Sequence, residues 1–225
     1  DVNSLNYTSG TTGNPKGVVY HHRGAHLNAV NNALSWELPK HPVYLWTLPM
    51  FHCNGWCFPW TLAATAGVSV CLRHVQAAAI YGALREHKVS HFCAAPIVLN
   101  MLNNADPALK QGLDHPVKAM TAGAAPPATV IAGMEAMGIA VTHVYGLTET
   151  YGPCVVCEPQ RNWQGQDATA LSRLKARQGV ASPLQGEMRV INPVSGEPVE
   201  TFRTAMNAAL GRIHSCGGYF TICLL

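Results

Sequence analysis

Four aliphatic hydroxyls, three glycines and one lysine fall within a single stretch near the start of the chain, Tyr7-Thr8-Ser9-Gly10-Thr11-Thr12-Gly13-Asn14-Pro15-Lys16-Gly17. This composition suits the holding of polyphosphate. Glycine lets backbone N–H groups approach phosphate oxygens and adopts positive φ, while Thr8, Ser9, Thr11 and Thr12 offer hydroxyl donors and Lys16 adds a point charge. A Walker A loop is excluded, because it needs Gly before the lysine and Ser or Thr after it, and here the neighbours are Pro15 and Gly17.

A second cluster, Val144-Tyr145-Gly146-Leu147-Thr148-Glu149-Thr150, follows the apolar run Ile139-Ala140-Val141-Thr142-His143. The run predicts a buried strand, Ile139 to Tyr145, with Gly146 opening a turn that sets Thr148 and Glu149 at the strand's C-terminal end. Ligands of open α/β sheets bind at that edge. Glu149 is a suitable partner for Mg²⁺, which prefers oxygen ligands and shares them with substrate phosphates. The alternative is a solvated carboxylate at a helix start, where acidic side chains are favoured.

Two weaker segments lie between these clusters in a consistent order. Thr121-Ala122-Gly123-Ala124-Ala125-Pro126 follows the strand-like Val117-Lys118-Ala119-Met120, and its small residues would admit a flat ring close to the backbone. Such a strand-to-helix turn is also ordinary in any α/β protein. Leu48-Pro49-Met50-Phe51-His52-Cys53-Asn54-Gly55-Trp56 places a histidine among aromatics, where it serves either as a core residue or as a functional imidazole.

Taken in order, these segments resemble the signatures of the AMP-forming, adenylate-making ligases, a superfamily that includes acyl-CoA synthetases, luciferases and the adenylation domains of peptide synthetases. The wording around His52 is most similar to the short- and medium-chain acyl-CoA synthetases. The resemblance implies that a carboxylic acid is activated by ATP to an acyl adenylate with release of pyrophosphate, and is then passed to a thiol, coenzyme A being the expected one. It implies that Lys16, Thr8, Ser9, Gly10, Thr11, Thr12 and Gly13 hold the β and γ phosphates. Thr148 would touch phosphate, Glu149 would hold Mg²⁺, and Tyr145, Gly146, Gly123 and Ala124 would frame adenine. His52 and Trp56 would border the acyl site. A carrier-protein thiol in place of coenzyme A, or a nucleotide-binding remnant without turnover, are the competing expectations.

The elements needed to position these residues alternate along the chain. Strands are predicted at Ser4 to Tyr7, Val18 to Tyr20, Val43 to Leu48, Val68 to Leu72, Val89 to Ala94, Val117 to Ala122 and Ile139 to Tyr145. Helices are predicted at Gly24 to Leu38, with Leu27, Val30, Ala33 and Leu34 as its apolar stripe, and at Asn54 to Ala66, Gln76 to Glu86, Ile97 to Asn104 and Pro127 to Met137. His21 and His22 begin the first of these. The rhythm predicts an α/β fold, a mostly parallel sheet with right-handed crossovers and helices on both faces. Residues 1–157 form the expected nucleotide-binding core. Residues 158–200 are the expected start of a smaller β-rich subdomain, with a helix at Thr169 to Gln178 and a hairpin made by Glu187 to Ile191 and Asn192 to Glu197. Residues 201–225 lack the Arg-Gly and Thr-Gly-Asp segments that the resemblance leads one to expect, and end in an apolar run. They are expected to be a shifted or truncated tail, so that the whole reads as an internal fragment of a ligase.

Charged residues make up 12% of the 225-residue chain, about half the usual share, against 48% hydrophobic. A net charge of +3 without an aromatic-basic strip gives no nucleic-acid binding face. Asp1-Val2-Asn3-Ser4 show no basic n-region followed by an apolar core, so no signal peptide is expected within this sequence, and the most apolar stretch, Phe58 to Val70, is broken by Pro59 and Gly67 and is too short to span a membrane. The expected compartment is the cytoplasm, with the eight cysteines as thiols. A zinc site from His52, Cys53, Cys57, Cys154 and Cys157 fits its usual spacings loosely.

Overall fold

Hydrophobic residues on both faces of most central strands demand cover on both sides, and the computed structural model shows how this is met. It describes residues 1–8, 14–186, 188–191, 195, 197, 212–216 and 219–223, the last two stretches by backbone alone. Five strands, β3 (Val43–Trp46), β4 (Val68–Cys71), β5 (His91–Ala94), β6 (Val117–Thr121) and β7 (Ile139–Leu147), form a parallel array. They belong to a seven-stranded sheet of order β4-β3-β5-β6-β7-β8-β9.

Side chains alternate across this sheet as the pleat requires. Leu45, Phe92, Ala94 and Ala119 enter one core with α4 (Ala77–Glu86), α5 (Pro96–Asn103) and α7 (Ala128–Ala136). Tyr44, Trp46, Cys93 and Met120 enter the other, which is closed by the end of α1 (His22–Ser35), by α2 (Cys53–Trp56) and by α3 (Phe58–Ala64). The expected architecture, helices on both faces of a mostly parallel sheet, is therefore present. Short α6 (Pro107–Lys110) joins α5 to β6, and α8 (Ala168–Lys175) packs on α7.

The parallel rhythm ends at β7, where the predicted run of α/β strands also stops: β8 (Gly152–Val156) runs antiparallel to it, and β9 (Val180–Ala181) antiparallel to β8. Three expectations are corrected. Gly146 opens no turn but lies inside β7 at a register shift opposite β8, where a Cβ would come 1.9 Å from the Gly152 carbonyl oxygen. Glycine is needed there for the close approach of two backbones. The helix expected from Asn54 to Ala66 is two helices, because Asn54, Gly55, Trp56 and Cys57 all take positive φ and break the chain before Phe58. Pro59 then sits in the first turn of α3, where its missing N–H costs nothing.

The third correction concerns α1. Leu27 and Leu34 of its expected apolar stripe face solvent, at 41% and 55% exposure, and the buried face is Ala25, Asn28, Ala29, Asn31 and Asn32. The reason is polar: Asn28 Nδ2 donates to Thr150 O at 3.2 Å, Asn32 Nδ2 to Trp56 O at 2.8 Å, and Asn31 Oδ1 accepts from Leu184 N at 3.2 Å. Buried loop backbone needs such partners, and the amides of α1 supply them.

Two smaller sheets complete the described chain. β1 (Val2–Tyr7) and β2 (Gly17–His21) form an antiparallel hairpin. β12 (Tyr219–Cys223) lies between β10 (Met188–Ile191), parallel to it, and β11 (Arg212–Cys216), antiparallel. The strand predicted at Glu187 to Ile191 thus contains β10, which pairs with β12. Most of the turn expected at Asn192 to Glu197 lies outside the described residues.

Candidate functional site

The parallel strands all deliver their C-terminal ends to one edge, and three of those ends, of β3, β6 and β7, carry segments singled out above. Thr47 to His52 leave β3, Ala122 to Pro126 leave β6, and Thr148 to Thr150 form a 3-10 turn at the end of β7. The hairpin comes to the same edge. Its neck is closed by two bonds, Thr8 N to Lys16 O at 2.9 Å and Lys16 N to Thr8 Oγ1 at 3.1 Å. Thr8 and Lys16 thus bracket the glycine-rich loop, and Lys16 is exposed. Ser9, Gly10, Thr11, Thr12 and Gly13 lie outside the described residues. The loop leads into an antiparallel strand rather than a helix, which agrees with the exclusion of a Walker A arrangement.

Hairpin and turn are bound to each other directly. Tyr20, buried in β2, donates its hydroxyl to Thr148 O at 2.7 Å. Tyr151, which follows the turn at φ 65°, accepts His21 N on its hydroxyl at 3.1 Å, and its ring stacks on Tyr20 at 3.9 Å. Gly24 admits that ring, since a Cβ there would lie 2.4 Å from its Cζ. From the other side Cys53 Sγ lies 3.2 Å from Thr148 Oγ1, and Cys57 Sγ donates to Tyr151 O at 3.1 Å. Thr150 Oγ1 ties the turn to itself through Leu147 N and Gly152 O, both at 2.8 Å.

Electrostatics keep these groups neutral. Burial pushes the Tyr20 phenol and the Cys53 and Cys57 thiols above their ordinary values; Cys53 raises Tyr20 and Cys57 further, and the hydrogen bond from Thr148 offsets part of the rise at Cys53. Tyr145 is pushed up to about 12, by burial first and then by Cys154 and Glu149. Glu149 is half-buried, the acidic residue of the turn.

The structure brings Lys16, Thr8, Thr148 and Glu149 to one edge, with Gly123 and Ala124 exposed at the end of β6. Gly123 has φ 93° and nothing within 4 Å of a Cβ position, so the turn is open to a flat ligand. Thr121 Oγ1, at the end of β6, is buried without a partner among the described residues. An unmatched buried hydroxyl beside an open glycine turn fits a ligand that brings a hydrogen-bonding edge. His52 is exposed at the head of α2, next to Cys53. Trp56, expected at the acyl site, is 8% exposed and belongs to the aromatic core, with its backbone against Gly152.

Sequence reasoning missed Tyr20, Tyr151 and the α1 amides. The amides left a signal in the spacing of Asn28, Asn31 and Asn32, a polar stripe at i, i+3 and i+4. Among the described residues no group of three or more His, Cys, Asp or Glu is placed to hold a metal, and Cys53, Cys57, Cys71, Cys93, Cys154 and Cys157 are free thiols.

A family model described as AMP-binding enzyme matches residues 1–214. The chain belongs to the AMP-binding enzyme family. The peroxisomal acetate/butyrate-CoA ligase AAE7 of Arabidopsis thaliana is 51% identical over 199 residues, 87% of this chain and 35% of that protein. The 2-methylpropanoate-CoA ligase CCL4 of Humulus lupulus is 50% identical over 196 residues, again 87% of this chain and 35% of the relative. The chain thus spans 35% of the length of these relatives. Among solved structures, the inhibitor-bound N-terminal domain of FACL13 from Mycobacterium tuberculosis matches with TM-score 0.74 and 27% identity, over 87% of this chain and 46% of that one. The o-succinylbenzoate-CoA synthetase of Bacillus subtilis in complex with ATP and magnesium matches with TM-score 0.73 and 21% identity, over 88% and 38%, and shares the fold. Among the described residues no helix is long and apolar enough to cross a membrane.

Proposed function

We propose that the chain supplies the nucleotide-binding part of an ATP-dependent acid-thiol ligase of the acyl-CoA synthetase type. The observation that carries this reading is the direct bonding of the hairpin that presents Lys16 to the turn that presents Glu149, at the C-terminal edge of the sheet. In the reaction a carboxylate oxygen of the acid attacks the α-phosphorus of ATP and the bond to pyrophosphate breaks. The sulfur of coenzyme A then attacks the acyl carbon and AMP leaves. Mg²⁺ would supply charge neutralisation for the phosphates, shared with Glu149 as an oxygen ligand.

The chain's own residues bind and orient. Lys16 and the hydroxyls of Thr8, Ser9, Thr11 and Thr12, with Gly10 and Gly13, take the β and γ phosphates. Thr148 lies beside them, and Gly123, Ala124, Tyr145 and Gly146 frame the base. Preorganised charge of this kind lowers the barrier where negative charge moves onto the leaving group. His52 borders the acid. Short acids are the proposed substrates, because the named relatives are ligases of acetate, butyrate and 2-methylpropanoate. A carrier-protein thiol is the second reading for the acceptor. One relative is named as peroxisomal, so the peroxisome joins the cytoplasm as a proposed compartment.

The division at residues 157 and 200 is likewise our reading. β10 pairs with β12 across the second boundary, so removal of residues 201–225 tests it: unchanged cooperative unfolding supports a separable tail, and lost cooperativity contradicts one.

Titration of the 225-residue chain with ATP and Mg²⁺ tests the assignment. Lys16→Ala should weaken ATP binding by roughly tenfold, the scale of one charge-assisted contact, and leave the melting temperature unchanged, since Lys16 is exposed. Equal affinities would refute the role.

A further inference from the structure

The geometry points to Tyr20 as a positioning residue that, paired with Tyr151, fixes the distance and angle between the phosphate hairpin and the Glu149 carboxylate. This inference rests on the nucleotide reading above and names what holds its two halves together.

Thr148 O is the pivot. It accepts two bonds, Tyr151 N at 3.1 Å within the 3-10 turn and Tyr20 Oη at 2.7 Å from the hairpin, so both lone pairs of the carbonyl are used. The peptide that begins with this carbonyl is the Thr148–Glu149 peptide, and a peptide unit is planar. Fixing the carbonyl therefore fixes the plane from which Glu149 departs. The opposite bond runs back: His21 N, the next residue of β2, donates to the Tyr151 hydroxyl at 3.1 Å. Each element thus holds the other through a tyrosine, and the two rings stack at 3.9 Å with 29° between their planes.

Rigidity on the hairpin side comes from register. Lys16 lies directly before β2, and β2 is paired residue for residue with β1 from Tyr7↔Gly17 to Ser4↔Tyr20. A displacement of Tyr20 is carried to the neck of the loop. Asn54 Nδ2 adds a tie from the His52 segment to Ser4 Oγ at 2.6 Å. A metal shared between phosphates and Glu149 requires both to be held at one spacing, and the tyrosine pair is the link that spans it.

Tyr20→Phe removes the hydroxyl and keeps the stacked ring. In the 225-residue chain it should raise the Mg²⁺ concentration for half-maximal tightening of ATP binding by roughly three- to tenfold, the scale of one buried hydrogen bond, and leave ATP affinity in chelator within twofold. It should also speed hydrogen exchange at Tyr151 N–H without nucleotide. Tyr151→Phe should act in the same direction. Tyr81→Phe is the control, because Tyr81 is equally buried and donates to Leu102 O at 3.0 Å on the other face of the sheet. It should lower the melting temperature and leave the Mg²⁺ titration alone. Equal Mg²⁺ dependence in wild type and both variants overturns the clamp while the nucleotide reading stands. A wild-type chain whose ATP affinity ignores Mg²⁺ overturns the nucleotide reading itself, and the clamp with it.

Discussion

The two ends of the parallel sheet are built from the same strands and treated in opposite ways. At the N-terminal end polar groups are turned inward and tied to backbone: Ser90 Oγ donates to Val43 O at 3.1 Å, Lys118 Nζ reaches Trp36 O and Glu37 Oε2 at 3.4 Å, and His91 is buried edge-on against Trp36 at 4.9 Å. At the C-terminal end the tips are open, with His52, Gly123 and Ala124 exposed. Non-glycine residues take positive φ at both ends, Glu37, His41, Ala66 and Lys88 before the strands and Cys53, Asn54, Trp56, Cys57 and Tyr151 after them. Left-handed backbone at non-glycine residues costs free energy and persists where surrounding contacts hold it. The bonds of Cys53, Cys57, Tyr20 and the α1 amides are those contacts at the C-terminal end. One end of the sheet is closed by side-chain ties, and the other is the end where the proposed nucleotide site lies open.

The contrast breaks most sharply at Gly146. Gly146→Ala would force a Cβ to 1.9 Å from the Gly152 carbonyl oxygen, so β7 and β8 must separate. A loss of about 4 kcal/mol or more in urea unfolding is expected, the range of severe overpacking. A loss under about 1 kcal/mol would show that the two strands yield there easily.

At the closed end, His91 makes stability depend on pH. Burial, and then the neighbouring Lys118 charge, lower its pKa from 6.5 to about 4. The unfolded chain takes up a proton below pH 6.5 while the folded chain does so only near pH 4, so this contribution to stability falls as pH drops through that window and is flat above it. The total is about 3 kcal/mol. His91→Gln should flatten the profile between pH 6.5 and 4, measured by chemical denaturation at each pH. An unchanged slope would locate the acid sensitivity elsewhere.

Glu149→Gln sharpens the contrast at the open end, because it removes a charge and nearly keeps the shape. Mg²⁺-dependent tightening of ATP binding should weaken by roughly tenfold, with the melting temperature little changed. Gly123→Ala is expected to have the smallest effect, about 1 kcal/mol, since nothing crowds its Cβ and only φ 93° opposes the substitution.

Much of this contrast was legible in sequence, and what was missed has a common cause. The strand-helix alternation and the edge that carries Thr148 and Glu149 follow from apolar runs ending in small or polar residues. The inversion of α1 did not, because periodicity marks an apolar stripe as buried, and here Leu27 and Leu34 face out while asparagines reach in to satisfy loop carbonyls. Gly146 reads as a turn in the sequence because a backbone-to-backbone approach calls for the same residue. The break before Phe58 was hidden because Cys53, Asn54, Trp56 and Cys57 have no general need for positive φ and take it only under tertiary contact. Tyr20 and Tyr151 lie 131 positions apart, and a pair so distant is set by topology alone.

Hydrogen exchange of the 225-residue chain with and without ATP and Mg²⁺ tests the division of labour most directly. Added nucleotide should protect Thr8 and Lys16 at the hairpin neck, the turn from Ala122 to Ala125, and Leu147 to Tyr151, while Trp36 to Val43 and Ser90 to Phe92 exchange as before. Protection at the His91 end, or none at the C-terminal edge, would contradict the account.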